Sequence, residues 1–335
     1  MENITIKING VEVSAPAGST ILEAARLAHI DIPTLCYLKE INEIGACRMC
    51  VVEVKGARSL VTACVYPINE GMEVWTNTPK VLESRKKTLQ LLLSNHKKEC
   101  LSCVRSGNCT LQQLSHDLNI HYQPYDVQPE RSRVNLSVPI VREASKCIKC
   151  MRCVQVCDKI QGMHIWDVAG TGSRTTVDVS YNRLLKNTDC VFCGQCVTHC
   201  PTGALTVRDD TNQVLRALAD PEITTVIQVA PAVRVAWAEE FGLNARLGTT
   251  GRMVAALKRI GFDYVFDTNF SADLTIMEEA NELIDRVKNG GVLPMITSCS
   301  PGWVNYCEHY FPDMIPNLSL SLIHISEPTR PRLIS

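Results

Sequence analysis

Apolar and polar residues alternate at the start of the chain. Residues 4–8 place isoleucine at every second position, and residues 11–13 resume the alternation with valine. Between them, Asn9-Gly10 has the composition of a two-residue hairpin turn. Because side chains alternate between the two faces of a strand, this pattern predicts a β-hairpin with one buried face.

Two segments with helical periodicity follow. Residues 21–28 predict a short helix, with Ser19 or Thr20 as its N-cap. Residues 81–93 repeat apolar side chains at helical spacing, and Pro79 suits the first turn of that helix. Farther along, Gly170-Thr-Gly-Ser predicts a turn, and residues 176–180 predict a short strand.

Strand-like and helix-like segments alternate after about residue 210. The predicted strands are residues 224–230, 263–267 and 292–297, and the predicted helices are residues 233–241, 249–260 and 274–288. Gly290-Gly291 predicts the end of the last helix. This alternation implies a parallel α/β layer, in which functional sites gather beyond the carboxyl ends of the strands.

Composition restricts the function classes. The chain has 335 residues, enough for two or three domains, and its net charge of −1 does not suggest nucleic acid or an anionic membrane as a partner. It contains no run of 18 apolar residues and no signal-peptide pattern, so no membrane span is expected. Its 17 cysteines therefore predict a cytoplasmic protein whose thiolates bind metal.

Two cysteine runs give the strongest chemical signal. Each has the C-x2-C-x2-C-x3-C spacing that bacterial ferredoxins use for a pair of [4Fe–4S] clusters, and the second run ends in Pro201. In that arrangement the fourth cysteine of each run ligates the cluster of the other run. One predicted ligand set is therefore Cys147, Cys150, Cys153 and Cys200, and the other is Cys190, Cys193, Cys196 and Cys157. Zinc sites or disulfides are the alternatives.

Four earlier cysteines suggest a further cluster. They are Cys36, Cys47, Cys50 and Cys64. Buried packing is the alternative, but the small residues at Gly45-Ala46 would let backbone amides approach a cluster. The order of sheet, hairpin and helix with this spacing resembles the plant-type [2Fe–2S] ferredoxin fold. Its longer first gap is similar to the N-terminal domain of [FeFe] hydrogenases and of the large iron–sulfur subunit of complex I.

A histidine precedes the next group of cysteines. The string H-x3-C-x2-C-x5-C comprises His96, Cys100, Cys103 and Cys109. It resembles the His/Cys3 [4Fe–4S] site of the same two families. A lone histidine near a helix end is otherwise an ordinary surface or core residue, as we expect for His116 and His121.

A later loop separates the two families. Thr297-Ser-Cys-Ser-Pro-Gly-Trp303 resembles the first signature loop of [FeFe] hydrogenases, T-S-C-C-P-x-W. The resemblance covers residues 1 to about 319, and its nearest form is the multi-cluster catalytic subunit of NAD(P)-linked enzymes. It implies an active centre in which a cysteine joins a [4Fe–4S] cubane to a diiron unit carrying CO and cyanide.

The chain departs from the family pattern in two ways. Cys299 matches the proton-relay cysteine, and Ser300 occupies the position of a cubane ligand. Either Cys299 replaces that ligand or the site is altered. The family's second and third loops are absent, and residues 322–335 resemble translated adapter sequence. We therefore expect a longer parent that carries the diiron H-cluster, a non-native tail at 320–335, and no hydrogenase activity in this chain alone.

The resemblance also implies a proton path. Its matching positions are Glu279, Glu282, Arg286, Ser319 and Cys299. Without the resemblance, two glutamates on an amphipathic helix would indicate a solvated face.

Together these features predict an α+β multidomain chain. Residues 1–78 are expected to form a β-grasp [2Fe–2S] ferredoxin-like domain and residues 79–125 a helical segment with the His/Cys3 cluster. Residues 126–209 are expected to form a bacterial-type ferredoxin domain with two [4Fe–4S] clusters. Residues 210–319 are expected to form part of an α/β hydrogenase domain.

The predicted function is an iron–sulfur electron-transfer chain joined to part of an [FeFe] hydrogenase, which interconverts protons and H2. Expected cofactors are one [2Fe–2S] and three [4Fe–4S] clusters, and expected partners are flavin- and NAD(P)-binding subunits or ferredoxin. The alternative is a non-catalytic electron-transfer subunit of a complex I-like or formate dehydrogenase-associated assembly. A cytosolic iron–sulfur assembly factor related to hydrogenases is disfavoured by the N-terminal [2Fe–2S] domain.

Overall fold

The computed structural model of the protein describes residues 3–125 and 134–319. The chain divides into two compact units, Met1–Arg208 and Asp209–Ser335. The expected non-native tail, residues 320–335, lies outside the described residues.

A five-stranded sheet begins the first unit. Its strands are β1 (Asn3–Ile8), β2 (Val11–Pro16), β3 (Val51–Val54), β4 (Val61–Thr62) and β5 (Glu73–Trp75). The spatial order is β2-β1-β5-β3-β4, with β1 and β5 parallel and the other pairs antiparallel. Asn9 and Gly10 both have positive φ, 51° and 86°, as a tight hairpin turn requires. The predicted hairpin is confirmed.

Helix α1 (Ile21–Leu27) packs against this sheet. Of the two candidate caps, Thr20 is the residue used, because its Oγ1 accepts a hydrogen bond from the Glu23 amide at 3.2 Å. The Glu23 carboxylate in turn accepts one from the Thr20 amide at 2.8 Å. The buried face of the helix joins alternate strand residues in one apolar core that includes Ile6, Ile8, Val13, Ile21, Leu22, Val52 and Val74.

Two helices follow the sheet. Helix α2 (Pro79–Ser94) begins with its proline in the first turn, as predicted, and Thr78 caps it. Helix α3 is Thr110–Asp117. Their apolar faces do not join the sheet core. They form a second core with cysteines from two predicted cluster sites, namely Cys36, Cys47 and Cys150.

The rest of the first unit consists of short elements around long loops. In chain order they are β6 (Ile140–Arg142), α4 (Arg152–Lys159), β7 (Trp166–Ala169), β8 (Thr176–Val179), α5 (Gln195–Thr198) and β9 (Leu205–Val207). Strands β6 and β9 pair in antiparallel register, and so do β7 and β8. Helices α4 and α5 each start within a cysteine run.

The second unit alternates helices with strands. Its elements are α6 (Thr211–Ala219), β10 (Val226–Val229), α7 (Pro231–Glu240), α8 (Thr250–Ile260), β11 (Tyr264–Asp267), α9 (Thr268–Asn289) and α10 (Pro301–Tyr310). Strands β10 and β11 pair in parallel, which confirms the predicted parallel layer at this point. Helix α9 starts at Thr268, earlier than predicted, because Asp267 caps it directly after β11. Gly290, with φ 77°, ends it as predicted.

One strand prediction was wrong. Residues 292–297 form no strand, and only Ile296 makes an isolated parallel bridge, to Leu318. Pro294 has no amide hydrogen and cannot contribute to a ladder, which explains why an apolar run failed as a strand signal. In the part of the chain that the structure describes, no helix combines the length and the apolar character that a membrane crossing requires.

The first prediction concerns the sheet core. Ile8 is fully buried, whereas its cross-strand partner Val11 is 55% exposed. Ile8→Ala should cost about 3 kcal/mol of folding free energy, because it removes buried methyl groups and leaves a cavity. Val11→Ala should cost less than about 1 kcal/mol. Urea unfolding followed by circular dichroism measures both, and equal losses would contradict the difference in burial between Ile8 and Val11.

Candidate iron–sulfur sites

The two cysteine runs line two separate pockets. The cysteines that line the first are Cys147, Cys150, Cys153 and Cys200. The cysteines that line the second are Cys157, Cys190, Cys193 and Cys196. Each pocket thus combines three cysteines of one run with the last cysteine of the other, which is the grouping that the sequence predicts.

Hydrogen bonds between the runs explain why Cys200 reaches the first pocket. The Thr202 hydroxyl donates to the Lys146 carbonyl at 2.7 Å, directly before Cys147. The Glu143 amide donates to the Ala204 carbonyl at 2.8 Å. These bonds continue the β6–β9 pairing, so the end of the second run is held against the start of the first.

Both runs turn in the same way around their pockets. Lys149 and Phe192, which precede the second cysteine of each run, have φ of 55° and 53°. Met151 and Gly194, which follow that cysteine, have φ of 64° and 77°. Only one of these four residues is glycine, so three residues with a Cβ adopt the left-handed region that they usually avoid. The loops curl inward, and the Lys149 amide donates to the Cys147 thiol at 3.3 Å.

Burial sets the protonation state of the thiols in the two pockets. Burial raises the pKa of Cys150 and Cys196 to about 12 and that of Cys190 to about 11. A group with such a pKa stays protonated at neutral pH unless a cation stabilises its thiolate. Iron provides that charge, and backbone N–H groups are the donors that stabilise cluster sulfurs. The donor set therefore fits a [4Fe–4S] cluster in each pocket.

The four N-terminal cysteines are all buried and lie in two close pairs. A hydrogen bond from Cys36 lowers the pKa of the Cys47 thiol to about 6 and raises the pKa of Cys36. The Sγ atoms of Cys50 and Cys64 are 3.3 Å apart, and this contact lowers the pKa of Cys50 and raises that of Cys64. Two pairs of thiols suit a cluster with two irons, each bound by one pair.

The His/Cys3 residues are less closely assembled. His96 is buried, and its Nδ1 has no hydrogen-bond partner among the described residues. Burial lowers its pKa, which favours the neutral imidazole that can bind a metal. Cys103 and Cys109 lie against the turn after Cys200, but Cys100 is exposed. An unpartnered buried nitrogen fits a ligand, although the structure does not enclose all four donors in one pocket.

The turn at 200–203 brings this segment next to the first pocket. The Arg105 guanidinium donates to the Cys200 carbonyl at 2.5 Å. A Cβ at Gly203 would lie 2.9 Å from the Cys103 Sγ, so glycine is required for this close approach. A His/Cys3 cluster would therefore neighbour the cluster of the first pocket.

A buried amide connects the N-terminal cysteines to the same pocket. The Asn42 Nδ2 donates to the Cys36 carbonyl at 2.7 Å and to the Cys150 carbonyl at 2.9 Å. The Arg152 side chain donates to the carbonyls of Cys36 and Tyr37 at 3.2 and 3.1 Å. No motif in the sequence pointed to Asn42, Arg152 or Gly203, because their roles depend on contacts between distant segments.

In the second unit, the residues of the predicted proton path lie partly together. The Arg286 side chain pairs with the Glu282 carboxylate at 2.5 Å and donates to the carbonyls of Pro316 and Leu318. The Ser319 hydroxyl donates to Glu282 at 3.2 Å. Glu279 has a buried Oε1 without a hydrogen-bond partner among the described residues.

The signature loop lies beside this network. The Ser298 hydroxyl donates to the Ser319 carbonyl at 2.7 Å. Cys299 is exposed, and Ser300 caps α10 by accepting a hydrogen bond from the Trp303 amide at 3.4 Å. The Ser300 hydroxyl is therefore engaged in the helix cap.

All 17 cysteines lie in the described residues, and the structure shows no disulfide between them. Within residues 3–125 and 134–319, no group of three Cys, His, Asp or Glu side chains is arranged to hold a single metal ion.

Comparison with protein families agrees with this arrangement. Residues 1–79 match the 2Fe-2S iron-sulfur cluster binding domain. Residues 85–124 match the NADH-ubiquinone oxidoreductase-G iron-sulfur binding region. Residues 146–204 match the 4Fe-4S dicluster domain, and residues 223–322 match the iron only hydrogenase large subunit, C-terminal domain. The chain is thus an iron–sulfur protein with ferredoxin-type domains followed by a hydrogenase domain.

Individual relatives indicate which hydrogenases the chain resembles. The NADP-reducing hydrogenase subunit HndD of Solidesulfovibrio fructosivorans is 45% identical over 94% of this chain and 56% of its own length. Iron hydrogenase 1 of Clostridium pasteurianum is 38% identical over 94% of this chain and 55% of its own length. The predicted resemblance to [FeFe] hydrogenase catalytic subunits is confirmed, and this chain is a relative of them. It spans about half the length of these two curated relatives.

A solved structure has a similar fold over part of this chain. A chain in the crystal structure of an NAD+-reducing [NiFe]-hydrogenase in the H2-reduced state matches with a TM-score of 0.57 and 26% identity. The match covers 61% of this chain and 87% of that chain. This similarity supports the fold of the matched part of the chain.

The second prediction concerns the Arg286 network. Arg286→Gln should reduce local stability by about 2 kcal/mol, because it leaves the half-buried Glu282 carboxylate without its ion pair. Hydrogen exchange of peptides covering residues 282–319 measures the loss. Lys288→Gln removes an exposed charge from the same helix and should change nothing. Equal exchange in both variants would show that the network does not hold this region.

Proposed function

We propose that this chain carries the electron-transfer clusters and part of the hydrogen-converting domain of an [FeFe] hydrogenase. The parent enzyme would interconvert protons and H2 and exchange electrons with NAD(P)H or ferredoxin through partner subunits. The observation that carries the proposal is the grouping of the cysteines into two four-thiol pockets beside two further candidate sites. The order of the matched families and the NADP-reducing relative support the same function.

The domain boundaries follow from this proposal. We assign residues 1–78 to a β-grasp [2Fe–2S] domain, which the mixed sheet and α1 support. We assign residues 79–125 to the His/Cys3 segment, residues 126–209 to the two-cluster ferredoxin domain and residues 210–319 to the hydrogenase domain. The change of unit between Arg208 and Asp209 supports the last boundary.

Sixteen side chains would hold four clusters. The proposed [2Fe–2S] ligands are Cys36, Cys47, Cys50 and Cys64, and the His/Cys3 ligands are His96, Cys100, Cys103 and Cys109. The two remaining [4Fe–4S] sets are Cys147, Cys150, Cys153 and Cys200, and Cys190, Cys193, Cys196 and Cys157. When bound, the clusters supply one-electron redox centres. The protein positions them, excludes water and stabilises their sulfurs with backbone N–H groups.

In the hydrogenase domain we assign proton handling to Cys299, Glu279, Glu282, Arg286 and Ser319. Arg286 orients the Glu282 carboxylate, and the Ser319 hydroxyl donates to its other oxygen. Cys299, whose thiol is exposed, would serve as the last proton donor of this path or as a ligand in place of Ser300. The diiron unit of the family supplies the centre at which H2 forms.

A non-catalytic electron-transfer subunit is the second candidate. The match of residues 85–124 to an NADH-ubiquinone oxidoreductase region favours it for the N-terminal part. The match of residues 223–322 to the iron only hydrogenase domain favours the hydrogenase instead, since an electron-transfer subunit has no need for that domain.

The third prediction tests the cluster content. The anaerobically reconstituted chain should bind about fourteen irons, the nominal content of one [2Fe–2S] and three [4Fe–4S] clusters. Cys200→Ser should lose about four of them, because it removes a ligand from the first pocket. Iron and sulfide analysis with EPR spectroscopy measures the content. Cys307→Ser, which alters a buried cysteine outside the proposed sets, is the matched control and should retain all of the iron. About eight irons in the unaltered chain would eliminate the two N-terminal sites.

The fourth prediction concerns His96. His96→Cys should retain the cluster and lower its potential, because an anionic thiolate replaces a neutral imidazole. His96→Ala should make the cluster labile. His116→Ala, at an exposed histidine, is the control and should behave like the unaltered chain. An EPR-monitored redox titration is the measurement, and unchanged spectra and potentials in both His96 variants would remove His96 from the ligand set.

A further inference from the structure

The side chain of Arg85 is a buried cation that the proposed chemistry does not use. It projects from α2 and is only 2% exposed. Its Nη2 donates to the Val51 carbonyl at 2.8 Å, and its Nη1 donates to the Asn77 side chain at 3.5 Å. Its Nε has no hydrogen-bond partner among the described residues. The guanidinium is therefore fixed by neutral oxygens, with one donor left over.

A buried positive charge needs a nearby negative charge. Removing a guanidinium from water costs several kcal/mol unless an opposite charge compensates it. In the described residues no carboxylate lies within ion-pair distance of Arg85, and the acidic side chain that acts on it, Asp31, is exposed. Burial accordingly lowers the pKa of Arg85 to about 10.

The negative charge available at this position is the thiolate of Cys50. The Arg85 guanidinium donates to the carbonyl of Val51, the residue that follows Cys50, and Cys50 opposes the lowering of the Arg85 pKa more than Asp31 does. A [2Fe–2S] cluster bound by four thiolates carries a net negative charge in both of its oxidation states, and reduction adds one more electron. A fixed cation beside it stabilises the reduced state more than the oxidised state.

We propose that Arg85 is a positioning residue that raises the reduction potential of the [2Fe–2S] cluster by holding a buried positive charge beside Cys50. This inference rests on the proposed function, because it needs the cluster of Cys36, Cys47, Cys50 and Cys64. An uncharged side chain could also donate hydrogen bonds to two neutral oxygens, so these bonds alone do not explain an arginine in the core. The proposed role explains its charge. A purely structural anchor between α2 and β3 is the competing explanation.

The test is an EPR-monitored redox titration of the reconstituted full chain, at temperatures where the [4Fe–4S] signals have broadened. Arg85→Gln removes the charge and should shift the [2Fe–2S] midpoint potential in the negative direction. Arg85→Lys keeps a charge and should shift it less. Lys86→Gln removes the same charge from the next residue of α2, where it is exposed, and should leave the potential unchanged because water and salt screen it.

The outcomes of this titration distinguish a failure of the inference about Arg85 from a failure of the proposed [2Fe–2S] site. A wild-type potential in Arg85→Gln, with the signal retained, would overturn the inference but not the cluster site. Equal shifts in Arg85→Lys and Arg85→Gln would also overturn it, because they would assign the effect to lost hydrogen bonds. Absence of a [2Fe–2S] signal from the unaltered chain would overturn the site and the inference together.

If Arg85→Gln does not assemble the cluster, a second measurement tests the inference. The protein is labelled with ¹⁵N in its arginine side chains and carries Arg48→Lys, which removes the arginine of the Cys47–Cys50 loop. It is reduced with dithionite and studied by pulsed EPR. A ¹⁵N coupling to the reduced cluster that disappears in Arg85→Lys supports the inference. Absence of any arginine coupling overturns it.

Discussion

The burial of cysteine thiols next to one another is the constraint on which the first unit depends. Burial alone would hold Cys150 and Cys196 protonated, and the N-terminal cysteines share protons in two close pairs. The apolar core around α2 and α3 includes cysteines, so the same contacts that stabilise the fold also enclose the candidate sites. Folding of this unit and assembly of the proposed clusters would therefore be linked processes.

A link between folding and cluster assembly explains why the Cys36 loop, the His/Cys3 segment and the turn after Cys200 all lie at the first pocket. Asn42 connects the Cys36 loop to Cys150, and Arg105 connects the His/Cys3 segment to Cys200. Each contact is a side-chain donor to a backbone carbonyl of a cysteine, so it fixes the loop without competing for the thiolate. The β6–β9 ladder has only three residue pairs, and these hydrogen bonds add further links between the loops.

The second unit is organised by an ion pair rather than by buried cysteines. Its candidate proton path is organised by an ion pair within one helix, Glu282 with Arg286, whose guanidinium also binds the carbonyls after residue 315. The path is thus attached to α9 and to the loop that ends at Ser319, while Ser298 links the signature loop to the same place. A polar network of this kind orients its carboxylate because every bond it makes is charge-assisted or directed at the backbone.

The sequence by itself determined what local chemistry can specify. Fixed spacing predicted the cysteine groups that line the two pockets, period-two alternation predicted the hairpin at Asn9-Gly10, and proline and threonine marked the start of α2. Tertiary structure alone decided the use of Asn42, Arg85 and Gly203, since each acts on a residue far away in the chain. It also decided that residues 292–297 form no strand, because only Ile296 has a bridge partner, Leu318, and Pro294 has no amide hydrogen to donate. Local periodicity determines which elements can form, but hydrogen-bond partners between distant segments determine which of them do.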